Sequence, residues 1–120
     1  MPTDNEYLRL IYNGMPGAKP SGVNTSQLNA ANQSTQIDFE KRSRLSVGYQ
    51  ISGISGTLTL RLEGRMSATD ANWYPLSATG QDISRTANGN YFFSWEGTAF
   101  QVRVLFVSGT GTVLISMRVD

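Results

Sequence analysis

Apolar and polar residues alternate with a period of two through most of the chain, the period of a strand with one buried face. Residues 6–12 set Leu8, Leu10 and Tyr12 on one side, and residues 35–39 set Ile37 and Phe39. Residues 45–51 align Leu45, Val47, Tyr49 and Ile51. Residues 57–66 align Leu58, Leu60, Leu62 and Met66, with Thr59, Arg61, Glu63 and Arg65 opposite. That run predicts a half-buried strand, one face oily and one charged. The last third predicts three strands in a meander. Tyr91, Phe93 and Trp95 mark the first, Phe100, Val102, Val104 and Phe106 the second, and Val113, Ile115, Met117 and Val119 the third. Glu96-Gly97-Thr98 and Ser108-Gly109-Thr110-Gly111-Thr112 supply the turns between them. Leu105 and Leu114 interrupt the polar sides of their strands and call for a second layer, a loop or a partner to face.

Between these runs the pattern changes. Residues 67–76 predict a loop anchored by Trp73, followed by a short strand around Ile83 and a tight turn at Asn88-Gly89. Residues 13–34 hold Gly14, Pro16, Gly17, Pro20 and Gly22, then mostly Asn, Gln, Ser and Ala. A segment of more than about 20 such residues is long for a loop inside a compact domain. It predicts an extended arm or loop, with room for a short helix over residues 26–31 capped by Ser26. Seven or eight short strands and no long helix predict an all-β chain. The expected architecture is a two-layer antiparallel β-sandwich of jelly-roll or immunoglobulin-like type, one domain over residues 1–120.

Composition narrows what such a sandwich does. Charged residues are 16% of the 120, against about 25% in ordinary soluble domains. A lightly charged surface has less to hold neighbours away, which favours assembly. The net charge of +1 gives no global field for nucleic acid or an anionic membrane. No apolar run approaches the ~20 residues of a membrane-spanning helix. Residues 1–6 lack a basic start with an apolar stretch behind it, so the expectation is a chain made in the cytoplasm without a secretory signal. Cysteine and histidine are both absent. Disulfides, thiolate chemistry, and Ser-His-Asp or Cys-His nucleophile systems are thereby excluded within one chain. The expectation is a protein that is not an enzyme and holds no cofactor or metal.

The remaining candidates for chemistry are few. Glu63, Asp70, Asp82 and Glu96 are the carboxylates that a glycosidase-like pair would need, and they show no paired spacing. Asp70-Ala71-Asn72 resembles a fragment of a calcium loop, but no closing carboxylate follows at suitable spacing. Lys41-Arg42-Ser43-Arg44 is a basic cluster between two strands, suited to a solvated turn or to an acidic neighbour. Trp73, Tyr74 and Trp95 could stack on sugar rings or anchor a protein interface. The alternative for the tryptophans is structural, Trp73 plugging one end of the sandwich and Trp95 in its core. Lys41, Arg42, Arg44, Trp73, Tyr74 and Trp95 are the candidate partner-contact residues.

From Thr57 onward the chain has a recognisable succession of features. A leucine-alternating strand leads into Arg65-Met66-Ser67-Ala68-Thr69-Asp70-Ala71-Asn72-Trp73. Then come Gly89-Asn90-Tyr91-Phe92-Phe93-Ser94-Trp95, Phe100-Gln101-Val102-Arg103-Val104, and a Gly/Thr-rich stretch before the final strand. This resembles the small β-sandwich structural proteins of tailed bacteriophages, over about half the chain. The resemblance implies a virion component. Within that class it implies a capsid decoration (cement) protein, often a homotrimer, which binds the major capsid protein on the outer shell. A tail, neck or adhesive-appendage component with a carbohydrate-binding sandwich is the alternative within the same resemblance.

Overall fold

A computed structural model describes residues 22–76 and 82–120. The strand expected over residues 6–12, and residues 13–21 of the expected arm, lie outside the described residues. The described chain is all-β, with seven strands: β1 (Gly22–Leu28), β2 (Ser34–Asp38), β3 (Arg44–Arg65), β4 (Tyr74–Pro75), β5 (Ile83–Arg85), β6 (Gly89–Glu96) and β7 (Gln101–Val119). Every pairing between them is antiparallel.

Two of these strands are far longer than the sequence pattern predicts. β3 has 22 residues and β7 has 19, and a straight strand of 22 residues would reach about 70 Å. Neither keeps one face to the core along its length. In β3 the buried apolar side chains are Leu45, Val47, Tyr49 and Ile51, then Leu58, Leu60 and Leu62. In β7 they are Val102, Val104 and Phe106, then Val113, Ile115, Met117 and Val119. Each series switches from odd to even positions or the reverse, which a regular pleat forbids. The switch occurs where the β3–β7 register shifts, between Ser52 and Leu60. Gly53 and Gly56 have φ of 63° and 71° there, and Gly109 and Gly111 have φ of 115° and 151°. Glycine and irregular pairing together let both strands bend at the same level.

Each long strand therefore serves two layers. The first layer runs β1, the C-terminal half of β7, the N-terminal half of β3, then β6. The second runs β2, the N-terminal half of β7 and the C-terminal half of β3, with β5 and β4 on its far edge. Their inner faces share one core, in which the Phe39 and Trp95 rings, one from each layer, lie 5.4 Å apart. Burial of these rings together with the aliphatic side chains around them supplies the main favourable energy of the sandwich.

The two-layer sandwich stands, with three corrections to its wiring. Residues 108–112 are the bend inside β7, not a hairpin turn, because their glycines kink the strand without reversing it. The C-terminal meander does not form, since β6 pairs with β3 and the two halves of β7 lie in different layers. Residues 22–28 of the expected arm form β1, paired along its whole length with Leu28↔Val113 at one end and Gly22↔Val119 at the other. No helix forms at residues 26–31. Gln33 shapes the β1–β2 connection instead, its side chain accepting from the Asn29 and Ala30 N–H groups at 2.8 and 3.2 Å.

Candidate functional site

The outer face of the second layer carries nearly all the charge that β3 and β7 bring to it. Register sets Arg103 opposite Glu63, and Glu63 opposite Pro75 on its other side. Glu63 Oε1 accepts from Arg103 Nε at 2.8 Å and lies 2.7 Å from Nη2. The Glu63 side chain keeps only 7% of its exposure and that of Arg103 22%. Arg61 Nη1 stands 3.9 Å from the second Glu63 oxygen. Arg61 in turn grips Asp82 with two bonds, of 2.6 and 3.1 Å. Beside this chain, Arg65 donates to Gln101 at 2.7 Å and Gln101 donates to Asp38 at 2.8 Å. Trp73 lies over the face with its ring centroid 4.3 Å from the Arg103 guanidinium carbon and 5.3 Å from that of Arg65. Cation–π contact and hydrogen bonding thus tie the loop after β3 to the charged strands.

The carboxylates on this face are consumed by these pairings. Glu96, on the other layer, pairs with Arg44 at 3.1 Å. Asp70 Oδ1 accepts from the Asn72 N–H at 3.0 Å, a local Asx turn. Among the described residues no group of three acidic side chains converges on a point where a metal ion could sit. The Arg61 hydrogen bonds hold the exposed Asp82 carboxyl below the usual carboxylate range, and the Arg61 charge adds to the effect. A depressed value in the folded state means the pair stabilises fully above the unfolded carboxylate range, and that contribution disappears as pH falls through the folded value. By NMR the Asp82 carboxyl is expected to titrate below an unfolded-chain aspartate and to return to it in Arg61→Gln. An unchanged titration in that variant would remove Arg61 as the cause.

The outer face of the first layer is different in kind. Its residues are mostly uncharged, small or amide side chains with a few apolar ones, and its charge lies at the margin. One row across the sheet reads Thr25, Ser116, Gly48, Phe92, and the next reads Gln27, Leu114, Gln50, Asn90. A third reads Val23, Arg118, Ser46, Ser94. Phe92 is 66% exposed, Val23 68% and Leu114 43%. A Cβ on Gly48 would meet nothing within 4 Å. It floors an open trough of about 260 Å³ walled in part by Leu114, Ser116, Gln50 and Asn90. Arg44, Glu96, Arg118 and Asp120 lie along one margin, in the Arg44–Glu96 and Arg118–Asp120 pairs.

The residues singled out from the sequence are scattered over this molecule. Lys41, exposed at a φ of 59°, lines a separate depression with Glu40, Met66 and Phe100. Arg42 reaches the start of β1, its Nη2 3.9 Å from where a Gly22 Cβ would stand. Arg44 goes to Glu96 on β6. The basic cluster thus fans out in three directions and makes no single patch. Trp95 is 6% exposed and packs on Phe39, so it belongs to the core and reaches no partner. Trp73 is half-buried, with its ring over the Arg103 guanidinium on the outer face of the second layer. Tyr74 is exposed on β4. The three aromatics therefore make no common platform for a sugar ring. Sequence reasoning passed over Phe92 and Val23. Leu114 had its signal, an apolar residue on the polar side of its strand.

No protein-family model matches the chain, and no curated protein matches it in sequence. Solved structures do match it. The SPBc2 prophage-derived protein YomS is 17% identical with a TM-score of 0.53, covering 84% of this chain and 95% of its own. PirA is 14% identical with a TM-score of 0.52, covering 82% of this chain and 93% of its own. A structure of Bacillus endospore appendages, described as disulfide-linked pili, is 13% identical with a TM-score of 0.46 over 84% of this chain and 87% of its own. At these identities the first two likenesses show a shared all-β fold and nothing finer.

Proposed function

We propose that this chain is a virion structural protein, and within that class a capsid decoration protein that seats on the outer surface of the major capsid shell. It works by contact and not by catalysis. The observation that carries this reading is the contrast between the two outer faces. The second layer closes its own charges into ion pairs and hydrogen bonds, with Trp73 over Arg103 and Arg65. The first layer presents a flat face with Val23, Leu114 and Phe92 exposed and its charges paired along one margin. A flat, weakly charged face with a few protruding apolar groups suits a protein surface better than a polyanion or a small ligand. The sequence resemblance to phage sandwich proteins and the prophage origin of one fold neighbour support the virion setting.

Self-association belongs to the same reading. The homotrimer that the resemblance implies draws support from the light surface charge, whereas residues 22–28 of the expected arm are committed to the sheet and lend it no contact.

The test is binding of the purified chain to expanded shells, with cryo-electron microscopy of the native particle. A Val23→Asp/Leu114→Asp variant is expected to fold normally by circular dichroism and to bind shells about tenfold or more weakly, each lost anchor costing about 1 kcal/mol or more. Unchanged occupancy by that variant would sink the docking face. Density for the chain in the tail alone would replace the decoration role with a tail or appendage role.

A further inference from the structure

The edges of this sandwich are not protected alike. Along the β1 and β2 edge, side chains stitch the two layers together. Asn24 donates to the Thr35 hydroxyl and to the Gln36 carbonyl, each at 2.9 Å, and Thr35 donates to Ser26 at 2.9 Å. On the opposite side, the second layer ends in β4 and β5, of two and three residues. Very short edge strands and an edge proline, here Pro75, are devices that keep sheet edges from pairing. The first layer ends in β6, which has eight residues. β6 pairs with β3 from Arg44↔Glu96 to Ile51↔Gly89 without a register shift, and among the described residues its other side pairs with nothing. It carries no lysine, arginine or proline. Four of its eight residues are Tyr91, Phe92, Phe93 and Trp95, which favour extended backbone. A regular edge of this length and composition is a template for another strand.

We propose that β6 is a self-pairing edge: two copies of the chain join by antiparallel pairing of their β6 strands about a two-fold axis at Phe92. The first layers of both copies then form one continuous sheet. The occupant has to be a strand, because the edge offers a row of backbone N–H and C=O groups. A second copy fits for reasons of charge and register. A two-fold axis perpendicular to the sheet keeps both outer faces on the same side, so it passes through a residue paired with its own equivalent. At Phe92 the axis sets the exposed ring against its equivalent, Tyr91 against Phe93, Asn90 against Ser94, and Glu96 against Asn88. An axis at Ser94 would set Glu96 against Phe92, and one at Phe93 would leave Phe92 facing a serine. The sole charge on the strand, Glu96, is already paired with Arg44 at 3.1 Å. With the axis at Phe92 the two Glu96 residues sit about 27 Å apart along the sheet, beyond effective repulsion.

This inference concerns contact between copies and stands or falls without the capsid shell. Sedimentation velocity of the purified full chain, without shells, is expected to show a concentration-dependent dimer. Phe92→Lys sets two ammonium groups face to face and is expected to raise the dimer dissociation constant about a hundredfold. Because the chain lacks cysteine, Phe92→Cys gives a single thiol whose equivalent lies directly opposite, within disulfide reach. It is expected to oxidise to a covalent dimer, while Ser116→Cys, on the same face but away from the edge, does not. A monomer at all concentrations, a trimer, or cross-linking no faster at Phe92→Cys than at Ser116→Cys would each overturn the proposal. The Val23→Asp/Leu114→Asp variant, altered on β1 and β7 away from this edge, is expected to dimerise as the unmodified chain does, so failure of shell docking and failure of the dimer are read from different variants.

Discussion

Gly109→Ala is expected to lower the unfolding free energy by about 3 kcal/mol or more, and the melting temperature by about 10–20 °C. A Cβ at this position would stand 2.6 Å from the Leu58 Cα and 2.6 Å from the Thr57 carbonyl oxygen. Both are backbone atoms of β3, so no side-chain rotation relieves the clash. The φ of 115° is also outside the range an L-residue adopts without strain. Relief would require β7 to move off β3 where both strands bend, loosening the link between the two layers. Gly48→Ala is the matched control, since its Cβ would meet nothing within 4 Å. That change is expected to be neutral or stabilising by up to about 1 kcal/mol. Urea denaturation of the two variants checks the contrast. Equal effects would show that the bend does not depend on a bare backbone at residue 109.

The second large effect is expected at Glu63. Glu63→Ala would leave the Arg103 guanidinium, largely covered and stacked against Trp73, without its counter-charge, at a cost of about 2–4 kcal/mol. The pair is not an ordinary surface salt bridge, because its side chains retain 7% and 22% of their exposure. A Glu63→Leu/Arg103→Met double variant is expected to recover much of the loss, since apolar groups of similar volume need no charge partner. A double-mutant cycle by chemical denaturation measures the coupling. Additive single effects would show that Arg103 is adequately solvated without Glu63.

Period-two reading located most strands because the core takes one side of each. Leu45 to Ile51, Leu58 to Leu62, and the two halves of β7 are buried on the expected parity. The reading could not see that the two halves of β3, or of β7, are one strand. The bend between them is encoded by glycine and serine, which in sequence resemble a turn. β1 escaped because its inward positions before Leu28 are Gly22, Asn24 and Ser26, none of them apolar side chains. Asn24 and Ser26 meet Thr35 through hydrogen bonds, while the apolar Val23 points to solvent. Periodicity of hydrophobic residues has nothing to register in such a strand. The sequence places Glu63 on the charged face of its strand but cannot show it covered, because burial of a carboxylate depends on partners distant in sequence, here Arg103 and the loop that carries Trp73. The proposed docking face was legible only in part. Leu114 broke its strand's pattern, whereas Phe92 and Val23 sit among neighbours whose exposure only the register reveals.

The central position of β7 has a consequence for the order of synthesis. β1, β2 and β3 all pair with β7, which is made last among the described strands. No layer can close until it emerges. At roughly 5–20 residues per second, β1 waits on the order of ten seconds for its partner. Its sequence, Gly-Val-Asn-Thr-Ser-Gln-Leu, is soluble enough to wait unpaired. The aromatic strand β6, the most adhesive of the set, is made only shortly before β7. The chain thus delivers its stickiest strand when the strand that completes the core is about to follow.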